Sequence, residues 1–133
     1  MNERTRGPGR VIIALYVVFV IGSVSRATAQ ILTRFDAAPL AYTLSAVAAF
    51  IYVVATIALA LPGPRAWLVS VVAISIELIG VLSVGTWSVL QPERFADASV
   101  WSNFGQGYLF IPLVLPVIGL WWLFRSRAQQ SSR

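Results

Sequence analysis

Long apolar runs alternate with short polar breaks along the chain. A helix advances about 1.5 Å per residue, so roughly 20 apolar residues cross the hydrocarbon core of a bilayer, which is about 30 Å thick. Four runs approach or exceed this length and predict an all-α fold, a transmembrane four-helix bundle. The four predicted spans are residues 11–32, 40–61, 66–90 and 108–124.

The breaks between the runs carry residues that end helices. Pro39 precedes the second span, and Pro62, Gly63 and Pro64 separate the second span from the third. Because proline and glycine interrupt helices, the second break predicts a tight antiparallel hairpin. The longest connection, residues 91–107, is predicted to be an external loop.

The distribution of arginines predicts the orientation. Cytoplasmic loops and tails of membrane proteins are enriched in basic residues near the ends of the spans. The segments 1–10 and 125–133 and the turn after the second span carry most of the basic residues, which predicts that both termini are cytoplasmic (N-in/C-in). The arginines on this side are Arg4, Arg6, Arg10, Arg65, Arg125, Arg127 and Arg133, against Arg34 and Arg94 on the other.

Composition supports a membrane environment. Hydrophobic residues make up 58% of the 133 residues and charged residues 11%, whereas soluble domains have roughly 45–50% and about 25%. The net charge of +5 does not predict nucleic-acid binding, because the arginines flank apolar runs and form no basic patch. The bilayer is the predicted partner. Arginine without lysine also indicates a GC-rich genome, and the predicted location is a bacterial plasma membrane.

The N-terminus has a second interpretation. A basic start, an apolar run over residues 11–24 and the triplet Ala27-Thr28-Ala29 resemble a secretory signal with a small-residue cleavage site. Arg26 within the cleavage region opposes this interpretation. Cleavage would leave three spans in unchanged orientation, so both possibilities stay open.

Two charged residues lie inside predicted spans, where charge is costly and usually has a partner or a function. Arg26 lies about 22 Å and Glu77 about 16 Å from the cytoplasmic starts of their helices. An ion pair between the first and third spans is therefore feasible, and it would either fix helix registry or serve a function. In the alternative, Arg26 extends to the outer interface and leaves Glu77 alone.

Further polar residues share helical faces with these charges. Ser23, Arg26 and Gln30 are three and four residues apart on one face of the first span. Tyr52 of the second span is expected to direct its hydroxyl toward the same polar centre. Ordinary helix packing also accounts for such faces. The candidate intramembrane site comprises Arg26, Glu77, Ser23, Gln30 and Tyr52.

The external loop combines aromatic and polar residues. Tryptophan and tyrosine prefer the membrane interface, so Trp101, Asn103, Phe104 and Tyr108 are predicted to form an interfacial surface. The loop either anchors the chain at the interface, lies there as a short helix, or acts as a lid or docking surface.

The segments Glu77–Gly85 and Val100–Tyr108 resemble a group of small actinobacterial four-span integral membrane proteins. The resemblance extends over nearly the whole chain and implies a lineage, because the group has no assigned activity. Small multidrug exporters carry their carboxylate in the first span, where this chain has Arg26. Quinone-linked disulfide enzymes need cysteines, and this chain has none.

The absence of cysteine and histidine excludes thiol catalysis, histidine bases and thiolate or imidazole metal ligands. No metal, cofactor or catalytic residue is predicted. We therefore expect a non-enzymatic accessory or scaffold subunit of a larger membrane complex. The alternative is a homo-oligomeric, proton- or ion-coupled transporter or channel that uses Glu77 and Arg26. A lipid-processing enzyme using Glu93, Asp97 or Glu77 is a third hypothesis.

Overall fold

The structure, a computed structural model, describes residues 7–94, 99, 101–108 and 110–131. This part of the chain is all-α. Short 3-10 stretches lie at Phe35–Ala37, Pro92–Arg94 and Ser102–Tyr108. The α-helices are α1 (Pro8–Arg34), α2 (Pro39–Ala60), α3 (Pro64–Leu90) and α4 (Ile111–Ser131).

Prolines define where the first three helices start. Pro8, Pro39 and Pro64 each occupy the first turn of a helix, where the missing N–H would have had no partner and the fixed φ suits a helix. Gly63 precedes α3 with a φ of 99°, which suits glycine because it lacks a Cβ. The tight hairpin predicted between the second and third spans is present.

The fourth helix differs from its prediction. It begins at Ile111, three residues after the predicted start, because Ser102–Tyr108 forms a separate, kinked segment with only short 3-10 turns. It continues to Ser131, so the segment predicted as a polar tail from residue 125 is largely helical. The leucine- and valine-rich part of α4 and the polar tail therefore form one helix.

Three helices, α1, α2 and α3, are long and apolar enough to cross a membrane. The apolar part of α4, Ile111–Arg125, is shorter and corresponds to about 22 Å of helix. The bundle also exposes many large apolar side chains, which suits a hydrocarbon environment. Among the most exposed are Leu32, Leu90, Val18 and Phe50.

Consecutive helices pack against each other in an up-and-down bundle, and α1 and α4 complete it with a sparser contact. We call the end at which α1 and α3 begin the inner end, and the end at which they finish the outer end. The interior of the inner half is mostly apolar. It contains Ile12, Leu59, Trp122 and Leu123.

An irregular segment completes the outer half. Gly119 of α4 lies level with Tyr16 of α1, so α4 begins about 12 Å beyond this level, whereas α3 continues about 20 Å beyond Glu77. The described residues Ser99 and 101–108, here called the cap segment, pack against α3 and α4 at the outer end. The cap segment therefore closes the bundle where α4 is short.

Candidate functional site

A carboxyl group lies in the centre of the bundle. Glu77 of α3 and Tyr16 of α1 are both 0% exposed, and the Tyr16 hydroxyl donates a hydrogen bond to Oε2 of Glu77 at 2.9 Å. Oε1 of Glu77 has no hydrogen-bond partner. Leaving a buried polar atom unpaired costs about 1–3 kcal/mol, and more for a charged group. The carboxyl is therefore a costly feature, which marks it as a candidate functional group.

The helix α4 approaches this pair through a glycine. A Cβ built on Gly119 would lie 3.2 Å from Cδ1 of Ile74 and 3.5 Å from the Tyr16 hydroxyl. A Cβ there would be tight against Ile74 and in ordinary contact with the Tyr16 hydroxyl. Three helices thus meet at the carboxyl, with α1 contributing the hydrogen bond and α4 contributing close packing.

Aromatic residues along α3 indicate the depth of the carboxyl. Glu77 lies ten residues from Trp67 and ten from Trp87, about 15 Å of helix in each direction. The indole of Trp67 donates to the Leu123 carbonyl at 3.0 Å, and that of Trp87 donates to the Gln91 side chain at 3.0 Å. Tryptophans favour the two membrane interfaces, so this spacing corresponds to a carboxyl midway across a bilayer.

Arg26 does not take the place beside the carboxyl that the sequence suggested. The residue of α1 next to Glu77 is Tyr16, and Arg26 lies ten residues further along, about 15 Å toward the outer end. Its side chain is exposed. This position corresponds to the alternative in which Arg26 extends to the outer interface. A tyrosine therefore holds the carboxyl where an arginine was expected.

Tyr52 takes part in a second buried contact near the carboxyl. The Trp101 indole donates a hydrogen bond to the Tyr52 hydroxyl at 2.6 Å, and the Phe19 and Tyr52 rings meet edge-on at 5.0 Å between centroids. Trp101 is only 4% exposed. A Cβ at Gly80, one turn from Glu77, would lie 2.6 Å from the Trp101 ring. The glycine thus makes room for an indole directly outward of the carboxyl.

The cap segment is anchored along α3 by more than Trp101. A Cβ at Gly85 would lie 2.5 Å from the Phe104 ring, and the Asn103 backbone N–H donates to Oγ of Ser88 at 2.8 Å. Within the segment, the Ser99 N–H donates to Oγ of Ser102 at 2.8 Å. Serine side chains therefore satisfy backbone groups that no helix satisfies, which is required where irregular backbone is buried.

Three consecutive residues of the cap segment have left-handed backbone: Asn103, Phe104 and Gly105, with φ of 51°, 61° and 85°. This conformation costs roughly 1–2 kcal/mol for each residue with a Cβ. The contacts of Trp101 and Phe104 with α3 offset that cost. The described part of the segment is packed against α3 and α4. The side chain of Tyr108 and the whole of Asp97 lie outside the described residues.

Two further buried polar groups lie outward of Glu77 on α1. Ser23 and Gln30 are each 4% exposed, and Oγ of Ser23 and Nε2 of Gln30 have no hydrogen-bond partner within the described chain. Tyr16, Ser23 and Gln30 follow one another at intervals of seven residues, which places them on one face of α1. Ser23 and Gln30 were predicted from the sequence and Tyr16 was not, although the same spacing adds it.

Among the described residues, no group of three or more histidine, cysteine, aspartate or glutamate side chains is arranged to hold a metal ion. Comparison of the chain with protein-family models, curated proteins and solved structures gave no match. The site is therefore interpreted from its own geometry.

Proposed function

We propose that the chain is a four-span protein of a bacterial plasma membrane with both termini in the cytoplasm, related to small actinobacterial membrane proteins. In this arrangement α4 crosses the membrane together with the cap segment, which adds depth at the outer end. The spacing of Trp67 and Trp87 on either side of Glu77 supports a membrane-spanning α3. The 20 residues from one tryptophan to the other span about 30 Å, the thickness of the hydrocarbon core. Arg65 and Arg125 then lie on the cytoplasmic side.

The primary function proposed is that of a non-enzymatic accessory or scaffold subunit of a larger membrane complex. The observation that carries this proposal is a groove of about 410 Å³ between α1 and α2 on the side of the bundle that would face lipid. Small side chains let membrane helices approach closely, and packing contributes much of their association. The groove is lined by Val24, Ala27, Thr28, Ile31, Leu32, Ala46, Ala49, Phe50 and Val53.

The occupant that fits this groove is an apolar transmembrane helix of a partner subunit. The test is affinity purification in mild detergent from the native host, comparing the unchanged chain with Ala46→Leu, which fills the groove. Val47→Leu, on the exposed side of the same helix, is the matched control. We expect a stable partner that is lost in Ala46→Leu and retained in Val47→Leu. Recovery of a lone monomer from all three preparations would contradict the proposal.

A second candidate function is proton- or ion-coupled transport through an oligomer, and the unpaired Oε1 of Glu77 favours it. A buried carboxyl oxygen without a partner is available to exchange a proton or to ligate a small cation. Arg26 has no direct part in this transport mechanism, because Tyr16 occupies the position next to the carboxyl. Flux into proteoliposomes should fall strongly in Glu77→Gln. Flux that is equal in the two proteins would exclude the carboxyl from the mechanism.

A further inference from the structure

We infer that the outer half of the bundle holds an internal hydrated path, taking water and protons, that leads from the outer end past Gln30 and Ser23 to Glu77. This inference deepens the second candidate function, and its role in proton supply rests on that function. The path itself rests on the unpaired polar groups and on the position of the cap segment.

The first observation is the arrangement of the unpaired atoms. Among the described residues, the buried side-chain atoms without a partner are Oγ of Ser23, Nε2 of Gln30 and Oε1 of Glu77. Ser23 lies about 10 Å outward of the Tyr16 level and Gln30 about 21 Å outward. All three groups therefore lie between the centre of the bundle and its outer end.

The second observation is the chemistry of these atoms. Buried polar groups in proteins are satisfied by protein or by internal water, and such a water typically makes about three hydrogen bonds. The steps of about 10 Å between the groups exceed the reach of a direct hydrogen bond, which is about 3 Å. Water molecules in series satisfy the three groups and connect them.

The third observation is that, among the described residues, the inner half contributes none of the unpaired side-chain atoms. There the buried hydroxyls of Thr56 and Ser70 donate to carbonyls of their own helices, Tyr52 and Ala66, at 2.7 and 2.8 Å. These hydroxyls need no water. The path therefore opens toward the outer side and ends at Glu77.

Trp101 stands at the last step of the path. Its ring contacts Gly80, about 4.5 Å outward of Glu77, and its indole is held by Tyr52. The carboxyl is 0% exposed with the ring in this position. The Trp101 ring therefore covers the outward side of α3 next to the carboxyl, where the path ends.

The experiment uses the absence of native cysteine. Ser23→Cys and Gln30→Cys are placed singly in the full-length chain in native membranes, and each is treated with silver ion, a small hydrophilic thiol reagent, from the outer side. Ile12→Cys, buried on the same face of α1 in the inner half, and Val18→Cys, exposed to lipid, are the controls. Thr33→Cys, exposed at the outer end, shows that the reagent is active.

We expect Ser23→Cys and Gln30→Cys to react at least several-fold faster than both Ile12→Cys and Val18→Cys. Adding Trp101→Ala should leave these two rates high and should not make Ile12→Cys reactive. Equal, slow reaction of Ser23→Cys and Ile12→Cys, with normal reaction of Thr33→Cys, would overturn the inference.

A measurement on the unaltered chain covers the case in which a cysteine variant does not fold. Pulsed hydroxyl-radical labelling generates radicals from internal water, and we expect oxidation of Tyr16 in the intact protein despite its burial. Trp122, buried in the apolar inner half, should be protected. Protection of both residues would overturn the inference. Proton flux is a separate readout. If the path is labelled but the protein carries no proton flux, the hydrated path stands and the transport function is excluded.

Discussion

The outer half of the bundle is closed by irregular backbone and contains unpaired polar groups, whereas the inner half is closed by apolar side chains of regular helices. In the outer half the cap segment places Trp101 and Phe104 against glycines of α3. In the inner half Leu59 and Leu123 fill the interior. Among the described residues, the unpaired buried side-chain atoms therefore lie at the centre and in the outer half, while the inner half is packed mainly with apolar side chains.

The largest effect is expected from removing the main anchor of the cap segment. Trp101→Ala should lower the free energy of unfolding by about 3–5 kcal/mol, the usual cost of truncating a buried aromatic residue. Trp121→Ala removes an indole that is 50% exposed and serves as the control, with a much smaller loss. Denaturant titration in detergent micelles measures both. Equal losses would show that the cap segment is not packed as described.

A second test concerns the close approach of Gly80 to Trp101. Gly80→Ala should cost about 1–3 kcal/mol, because the new methyl group overlaps the indole and the well-packed ring must shift. Gly22→Ala is the matched control, since a Cβ there meets nothing within 4 Å. In an exposed helical position this change should stabilise the protein by about 0.5–1 kcal/mol. If both variants shift stability in the same direction, the contact is refuted.

The hydrogen bond at the centre gives a third prediction. Tyr16→Phe removes the hydrogen bond to Oε2 of Glu77, so that neither carboxyl oxygen has a protein donor. The change should destabilise the bundle by about 1–3 kcal/mol. In Glu77→Leu the same change should cost less, because the tyrosine hydroxyl no longer has an acceptor to lose. A double-mutant cycle measures the coupling. Identical effects of Tyr16→Phe in the two backgrounds would show that Tyr16 and Glu77 do not interact.

The smallest effect is expected at the inner interface. Trp67→Phe removes the hydrogen bond to the Leu123 carbonyl and keeps an aromatic ring against Phe124, which it meets edge-on at 5.4 Å. A loss of about 1 kcal/mol is expected. Thermal unfolding followed by tryptophan fluorescence measures it, and an unchanged midpoint would show that this bond is not formed in the native protein.

Much of the bundle could be predicted from sequence because apolar run length and proline position act locally. Apolar run length located α1, α2 and α3, and the prolines marked the starts of α2 and α3. The start of α4 was missed because it depends on the cap segment, whose path is set by contacts of Trp101 and Phe104 with distant glycines. Local composition shows only that aromatic residues are present, and these also fit an interfacial anchor.

The candidate site was predicted in part for the same reason. The charge of Glu77 within an apolar run identified it, and helical spacing identified Ser23 and Gln30. The partner of Glu77 depends on how α1 and α3 align, which spacing on one helix does not determine. Counted from the predicted span starts, Arg26 and Glu77 differed in depth by about one helical turn, which an arginine side chain can cover. The observed alignment instead places Tyr16 beside Glu77.

The proposed function places the inner end of the bundle in the cytoplasm, and labelling of two exposed positions tests this orientation most directly. Glu93→Cys lies at the outer end and Arg65→Cys at the inner end, both in an otherwise cysteine-free chain. In intact cells, a membrane-impermeant maleimide should label Glu93→Cys at once and Arg65→Cys only after permeabilisation. Labelling of Arg65→Cys in intact cells, or of both positions to the same extent, would contradict the proposed sidedness.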